Sequence, residues 1–188
     1  MKRACEHLGS NAYLCKDVAS LTKAQRIIFP GVGAADSAMV SLKKTGLDKA
    51  LIEAYRRGTP ILGICLGMQI SLSSSEEGAT VTLNMIPGSV CRFSFNKPDL
   101  KIPHMGWNTI NLNKDDTVIT NSFDKKDFYF VHSYIFQNIK KSDVLAFTLY
   151  GQKFPSIVKK GNIYGVQFHP EKSHKHGLNL IKNYILKS

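Results

Sequence analysis

The sequence predicts one α/β domain: a mostly parallel sheet with helices on both faces, plus an antiparallel extension. Three observations carry that expectation. Short, wholly apolar segments alternate with amphipathic stretches through the first half. Apolar segments separated by turn residues crowd the second half. The 188 residues, 43% of them hydrophobic, suffice for one core and leave little for a second.

Taken in order, Lys2 to Leu8 reads as the tail of a helix, stopped by Gly9. Tyr13-Leu14-Cys15 is expected as a short strand. Arg26 to Phe29 is expected as a buried strand ended by Pro30-Gly31. Helices follow over Asp36 to Lys44 and Leu47 to Arg57, the second with Leu47, Leu51, Ala54 and Tyr55 on one face. Gly58-Thr59-Pro60 breaks the chain before a strand at Ile61 to Ile64, and a helical segment spans Leu66 to Leu72. Strands separated by helices imply a parallel sheet covered on both faces. Further strands are expected at Gly88 to Phe93, Asn108 to Leu112, Phe128 to Val131, Val144 to Tyr150, Ile157 to Lys159 and Ile163 to Phe168. Lys160-Gly161-Asn162 is the turn between the last two. A closing helix near Gly177 to Leu186 places Leu178, Ile181 and Ile185 on one face.

Composition removes several functions. No stretch approaches the roughly 18 apolar residues that span a bilayer, and no secretory signal opens the chain. The four cysteines, Cys5, Cys15, Cys65 and Cys91, form no C-x-x-C pair, which argues against zinc or a disulfide scaffold and for a reducing cytoplasm. The net charge of +11 suggests nucleic acid, but its distribution does not. Residues 1–94 hold 11 Lys and Arg against 7 Asp and Glu, and residues 95–188 hold 14 against 7. The cations come as doublets (Lys43-Lys44, Arg56-Arg57, Lys125-Lys126, Lys140-Lys141, Lys159-Lys160) rather than blocks, so a diffusely basic surface is expected.

Gly63-Ile64-Cys65-Leu66-Gly67 follows an apolar strand and precedes a helical segment. That is the nucleophile-elbow spacing with sulfur in place of the serine hydroxyl. Small residues two before and two after the nucleophile permit a sharp turn. Unpaired N–H groups at the helix start stabilise a thiolate at Cys65, and the Leu66 N–H points where an oxyanion would form. Cys5, Cys15 and Cys91 lack such a setting and are assigned to packing. Among six histidines, His169 stands out because it ends an apolar strand and continues as Pro170-Glu171. Pro170 biases His169 toward extended backbone, so His169 and Glu171 can share a face. His169 then serves Cys65 while Glu171 holds its tautomer. His174-Lys175-His176 is read as a solvated turn, with no metal or cofactor assigned.

Phe29-Pro30-Gly31-Val32-Gly33, Gly63 to Gln69 and Gly165 to Glu171 together resemble the class I (triad) glutamine amidotransferases, whose sheet is flavodoxin-like. Pro103-His104-Met105-Gly106-Trp107-Asn108 and the continuation Lys172-Ser173 narrow this to the glutaminase subunits of imidazole glycerol phosphate synthases. The resemblance implies a cysteinyl thioester on Cys65, with ammonia protonated by His169. It implies an oxyanion hole from Leu66 and the Val32-Gly33 loop, and a glutamine-binding set of Gln69, Glu77, Ser133 and Tyr134. Gln69 lies one helical turn beyond Cys65 and can face the same pocket. The resemblance also implies a separate (β/α)8-barrel cyclase that receives the ammonia, since such a barrel needs about 250 residues. Trp107, Pro103, Met105 and Lys172 match its interface or channel mouth. By residue type alone, a lone Trp is more often core.

The family's opening apolar strand and its Asp-Tyr-Gly…Gly-Asn loop have no counterpart before or after Lys2. The domain is therefore expected to be truncated at its start, exposing a sheet edge. Other readings are a paralogous glutaminase supplying ammonia for sugar amidination in surface-glycan synthesis, and a catalytically silent partner-binding subunit.

Overall fold

A computed structural model describes all residues, Met1–Ser188. In chain order the elements are α1 (Lys2–His7), α2 (Val18–Thr22), β1 (Ile27–Gly31), α3 (Ala35–Thr45), α4 (Leu47–Arg56), β2 (Ile61–Cys65) and α5 (Leu66–Gln69). They continue as β3 (Ser74–Ser75), β4 (Thr80–Val81), β5 (Ser89–Arg92), β6 (His104–Thr109), β7 (Asn111–Leu112), β8 (Asp127–His132) and β9 (Tyr134–Gln137). The chain ends with β10 (Val144–Tyr150), β11 (Gln152–Lys160), β12 (Ile163–Val166) and α6 (His174–Lys187). The central sheet has the order β1-β2-β12-β11-β10-β7. Its β1-β2 and β2-β12 ladders are parallel, and β11, β10 and β7 extend it antiparallel. A smaller sheet, β4-β3-β5-β9, and a two-stranded ladder, β6-β8, flank it.

The three parallel strands are apolar on both faces because both are covered. Leu62, Ile64, Tyr164 and Val166 point to one core with Leu180 and Tyr184 of α6. Ile27, Ile61 and Ile163 point to the other, with Leu21, Met39, Leu51 and Ala54 of α2, α3 and α4. Leu47 and Tyr55 pack on the edge of that second core, as the α4 periodicity predicts. On α6 the buried stripe is Gly177, Leu180, Ile181 and Tyr184, so Leu178 lies beside it rather than in it.

Three expectations change and one helix is added. Tyr13-Leu14-Cys15 forms no strand, and Tyr13 and Leu14 are exposed; the segment has no neighbour to share a ladder with. α2 went unread, although Asp17 accepts the Ser20 N–H at 2.8 Å as an N-cap. Asn108 to Leu112 is two strands in two sheets, β6 with β8 and β7 with β10, hinged at buried Ile110. The helix after Cys65 is a single turn, Leu66–Gln69, and the Ser71 hydroxyl donates to the Gly67 carbonyl just beyond it.

β1 is an edge strand whose only neighbour is β2. Beside it runs an apolar groove of about 630 Å³ whose lining includes Cys5, Leu14, Ile28, Phe29, Tyr184 and Ile185. No helix is long and apolar enough to cross a membrane. Four of the five basic doublets are exposed on both residues; Lys159-Lys160 is half-buried, where Lys159 pairs with Asp116.

Candidate active site

The site forms at the carboxyl ends of the parallel strands. Register brings the three sequence motifs together there: Gly31 pairs opposite Cys65 on one side, and Val166 pairs with Ile64 on the other. The chain leaving β1 (Val32-Gly33) and the chain leaving β12 (Gln167 to Glu171) therefore emerge beside the same cysteine.

Cys65 adopts φ 52°, ψ −112°, a conformation few non-glycine residues tolerate. The strain is sustained because the flanking residues are small. A Cβ on Gly67 would strike the Phe29 carbonyl oxygen, and one on Gly63 would lie 2.9 Å from the Met68 Cα. A Cβ on Gly165 of the neighbouring strand would meet the Met68 side chain. The elbow read from G-x-C-x-G is thus imposed by close backbone packing of β1, β2, β12 and α5. Cys65 is 7% exposed, and its thiol donates to the Val131 carbonyl at 3.8 Å.

His169, extended at φ −102°, leads into a 3-10 turn, Pro170–Lys172. The His169 N–H donates to the Tyr129 carbonyl at 2.8 Å, and the Ser173 hydroxyl donates to the His169 carbonyl at 2.6 Å. These bonds pin the segment. His169 Nδ1 lies 2.9 Å from Glu171 Oε1, so the pair share a face although Glu171 sits in the turn rather than on an extended strand. His169 Nε2 is buried without a hydrogen-bond partner and is left for the reacting groups. Burial alone would lower the imidazole pKa; the nearby Cys65 sulfur and the Glu171 carboxylate overcome it and raise the value to about 9. Burial would raise Glu171, and the bond from His169 outweighs that and lowers it.

Gln69, 5% exposed, donates from Nε2 to the Tyr134 carbonyl at 3.2 Å and to Gln167 Oε1 at 3.3 Å, so Gln69 and Tyr134 do meet. Ser133 lies in the bend between β8 and β9, its carbonyl accepting the Phe93 N–H. Glu77 is placed against the loop after β1: its Oε2 accepts the Ala35 N–H at 2.8 Å, at the start of α3. Val32 is 83% exposed and Gly33 has φ 99°, with open space where a Cβ would stand. The residue that sequence reasoning missed is Gln167. It is fully buried and donates to Cys65 Sγ at 3.8 Å as well as touching Gln69. A lone amide inside the apolar run Val166-Gln167-Phe168 was the available signal.

Trp107 and Met105 project from β6 with 48% and 62% exposure, so Trp107 is not core. Its indole stacks on His174 at 4.9 Å and 7°; His174 and Lys175 are exposed as expected, but they open α6 rather than a turn. Lys172 is exposed, its ammonium 5.8 Å from the Tyr129 ring centroid, and Pro103 is exposed just before β6. Cys5 and Cys91 are buried and Cys15 half-buried, all as free thiols; burial first, then Glu76, raises Cys91 to about 11. No group of three or more His, Cys, Asp or Glu side chains could hold a metal ion.

Residues 10–188 match the class-I glutamine amidotransferase family model. The chain is 44% identical to imidazole glycerol phosphate synthase subunit HisH of Desulfovibrio desulfuricans, over 98% of this chain and 87% of that protein. It is 42% identical to imidazole glycerol phosphate synthase subunit HisH 2 of Methanococcus maripaludis, over 98% and 92%. The fold superposes on PurLQS from Thermotoga maritima with a TM-score of 0.72 at 21% identity, covering 98% of this chain and 89% of that one.

Proposed function

The chain belongs to the class I glutamine amidotransferase family, and from that premise we propose that it is the glutaminase subunit of an imidazole glycerol phosphate synthase, acting in histidine biosynthesis. The observation that carries the catalytic part is the alignment of a strained, small-residue elbow at Cys65 with a buried imidazole held at 2.9 Å by Glu171. In this reading the Cys65 thiolate attacks the side-chain amide carbon of glutamine. The carbonyl oxygen becomes an oxyanion, which the Leu66 N–H and the Val32-Gly33 loop receive. Imidazolium His169 gives its Nε2 proton to the departing nitrogen, and ammonia leaves a thioester. His169 then takes a proton from water as the oxygen adds to the thioester carbonyl; the C–S bond breaks, the product leaves as glutamate with its carboxyl proton lost to solvent, and the Cys65 thiolate and His169 imidazolium are restored. Gln69, Glu77, Ser133 and Tyr134 are the groups assigned to the amino-acid end of glutamine.

The ammonia passes to a (β/α)8-barrel cyclase that seats against Trp107, Met105, Pro103 and Lys172. Support comes from the identity to synthase subunits and from the exposure of Trp107 and Met105 on one strand. Mixing the chain with such a cyclase is expected to give glutamine-dependent glutamate release, and Cys65→Ala to abolish it. A Cys65→Ala complex with full glutaminase activity would sink the mechanism.

A further inference from the structure

Beside the site lies a buried histidine pair to which the mechanism gives no task. His104 is 2% and His132 6% exposed. His104 is stacked between Phe130, at 4.8 Å, and Tyr150, at 4.0 Å. His132 Nδ1 is 2.7 Å from the Tyr134 carbonyl oxygen, and its Nε2 is 3.0 Å from His104 Nδ1. His104 Nε2 is 3.1 Å from Asn108 Nδ2. Burial holds both rings neutral, His104 at about 4 and His132 at about 3.

Two neutral imidazoles in series admit only one arrangement of protons here. A carbonyl only accepts, so His132 Nδ1 carries the hydrogen and Nε2 must accept. His104 Nδ1 is then the donor and its Nε2 the acceptor, which the Asn108 amide N–H satisfies. The chain of bonds runs one way, from Asn108 to His104 to His132 to the Tyr134 carbonyl. That carbonyl also takes the Gln69 amide, and Gln69 reaches Cys65 through Gln167.

We propose that His104 and His132 are positioning residues that fix the Ser133-Tyr134 bend, and with it Gln69, for binding the amino-acid end of glutamine. Neither ring hydrogen-bonds to Cys65 or His169. The relay's effect belongs to substrate binding, not to the chemistry at Cys65. The inference rests on the glutaminase reading.

Alkylation of Cys65 in the full chain separates the two. A chloroketone analogue of glutamine reports recognition, and iodoacetamide reports bare thiol reactivity. His132→Leu removes the donor to Tyr134, and His132→Asn restores an N–H at the Nδ1 position. The half-saturating chloroketone concentration is expected to rise about tenfold in His132→Leu and to recover in His132→Asn, with iodoacetamide rates alike in all three. Should His132→Leu fail to fold, His104→Phe decides. It keeps the aromatic stack, leaves His132 Nε2 buried without its donor, and is expected to give the same loss, with His104→Asn as its rescue. A wild type that saturates with the chloroketone while the Leu and Phe variants are unchanged overturns the relay alone. A wild type that reacts with iodoacetamide but never saturates with the chloroketone overturns the glutaminase reading and the relay with it.

Discussion

Cys65 and Glu171 act on His169 before any substrate arrives. The imidazole is raised to about 9 against 6.5 for an unperturbed histidine, with the sulfur and Glu171 opposing burial. Because the folded value is the higher one, this pair's stabilisation is complete below about pH 6.5 and is lost as pH rises through about 9. Glu171→Gln removes one of the two supports, so the His169 titration, followed by imidazole carbon NMR, is expected to move down. An unmoved midpoint would show that Glu171 does not set it. Gly67→Ala drives a methyl into the Phe29 carbonyl oxygen, a backbone atom that cannot give. Overpacking of that kind costs on the order of 1–3 kcal/mol or more, and chemical denaturation is expected to show it. Both residues were legible in the sequence because an elbow is a local object: its spacing states which side chains must be small. Gln167 was not, because its role depends on Cys65 and Gln69 being brought to it from a different strand and turn.

β6 divides its side chains between two roles. Met105 and Trp107 point outward, while His104 points into the relay and Asn108 donates to both His104 and the Leu149 carbonyl. Alternation of period two explains the division. The sequence predicts this strand only from Asn108, because Pro103 to Trp107 lacks the apolar run that marks a buried strand; half its face meets solvent and the inner half is polar. If the proposed pairing with a (β/α)8-barrel cyclase holds, Trp107→Ala is expected to weaken that binding at least tenfold, the scale of an aromatic interface anchor, while the melting temperature of the free chain changes little. Titration calorimetry against melting curves checks this, and an unchanged affinity would remove Trp107 from the interface. The single turn of α5 teaches a related point. The pattern Leu66 to Leu72 predicts a longer helix, yet α5 ends at Gln69, and the Ser71 hydroxyl donates to the Gly67 carbonyl instead of continuing it.

Across the whole molecule, long-range contacts decide what local patterns leave open. Asp116 accepts from Lys159 at 2.6 Å, from the Tyr164 hydroxyl at 2.5 Å and from the Val118 N–H at 3.1 Å, tying a loop to β11 and β12. Burial would raise its carboxyl, but these donors hold it at about 2. The folded value is the lower one, so the stabilisation is present above about pH 4 and is lost as pH falls through about 2. Asp116→Asn is expected to melt below the wild type at pH 7, and the gap to close in that acid range; a gap independent of pH would assign the loss to packing. The open edge of β1 makes a second prediction. An apolar strand fused before Met1, reaching the groove beside Ile28 and Phe29, is expected to raise the melting temperature, and equal melting of both chains would show that the edge needs no cover. By itself the sequence determined the parallel strands, the covering helices α3, α4 and α6, the elbow and the His169-Glu171 pair, since each rests on spacing within a few residues. Only the tertiary structure decided that Val32, Cys65 and His169 emerge together, that Glu77 holds the loop after β1, and that two buried histidines share one directed chain of hydrogen bonds. Those outcomes are set by strand register and by desolvation, which act between segments many residues apart.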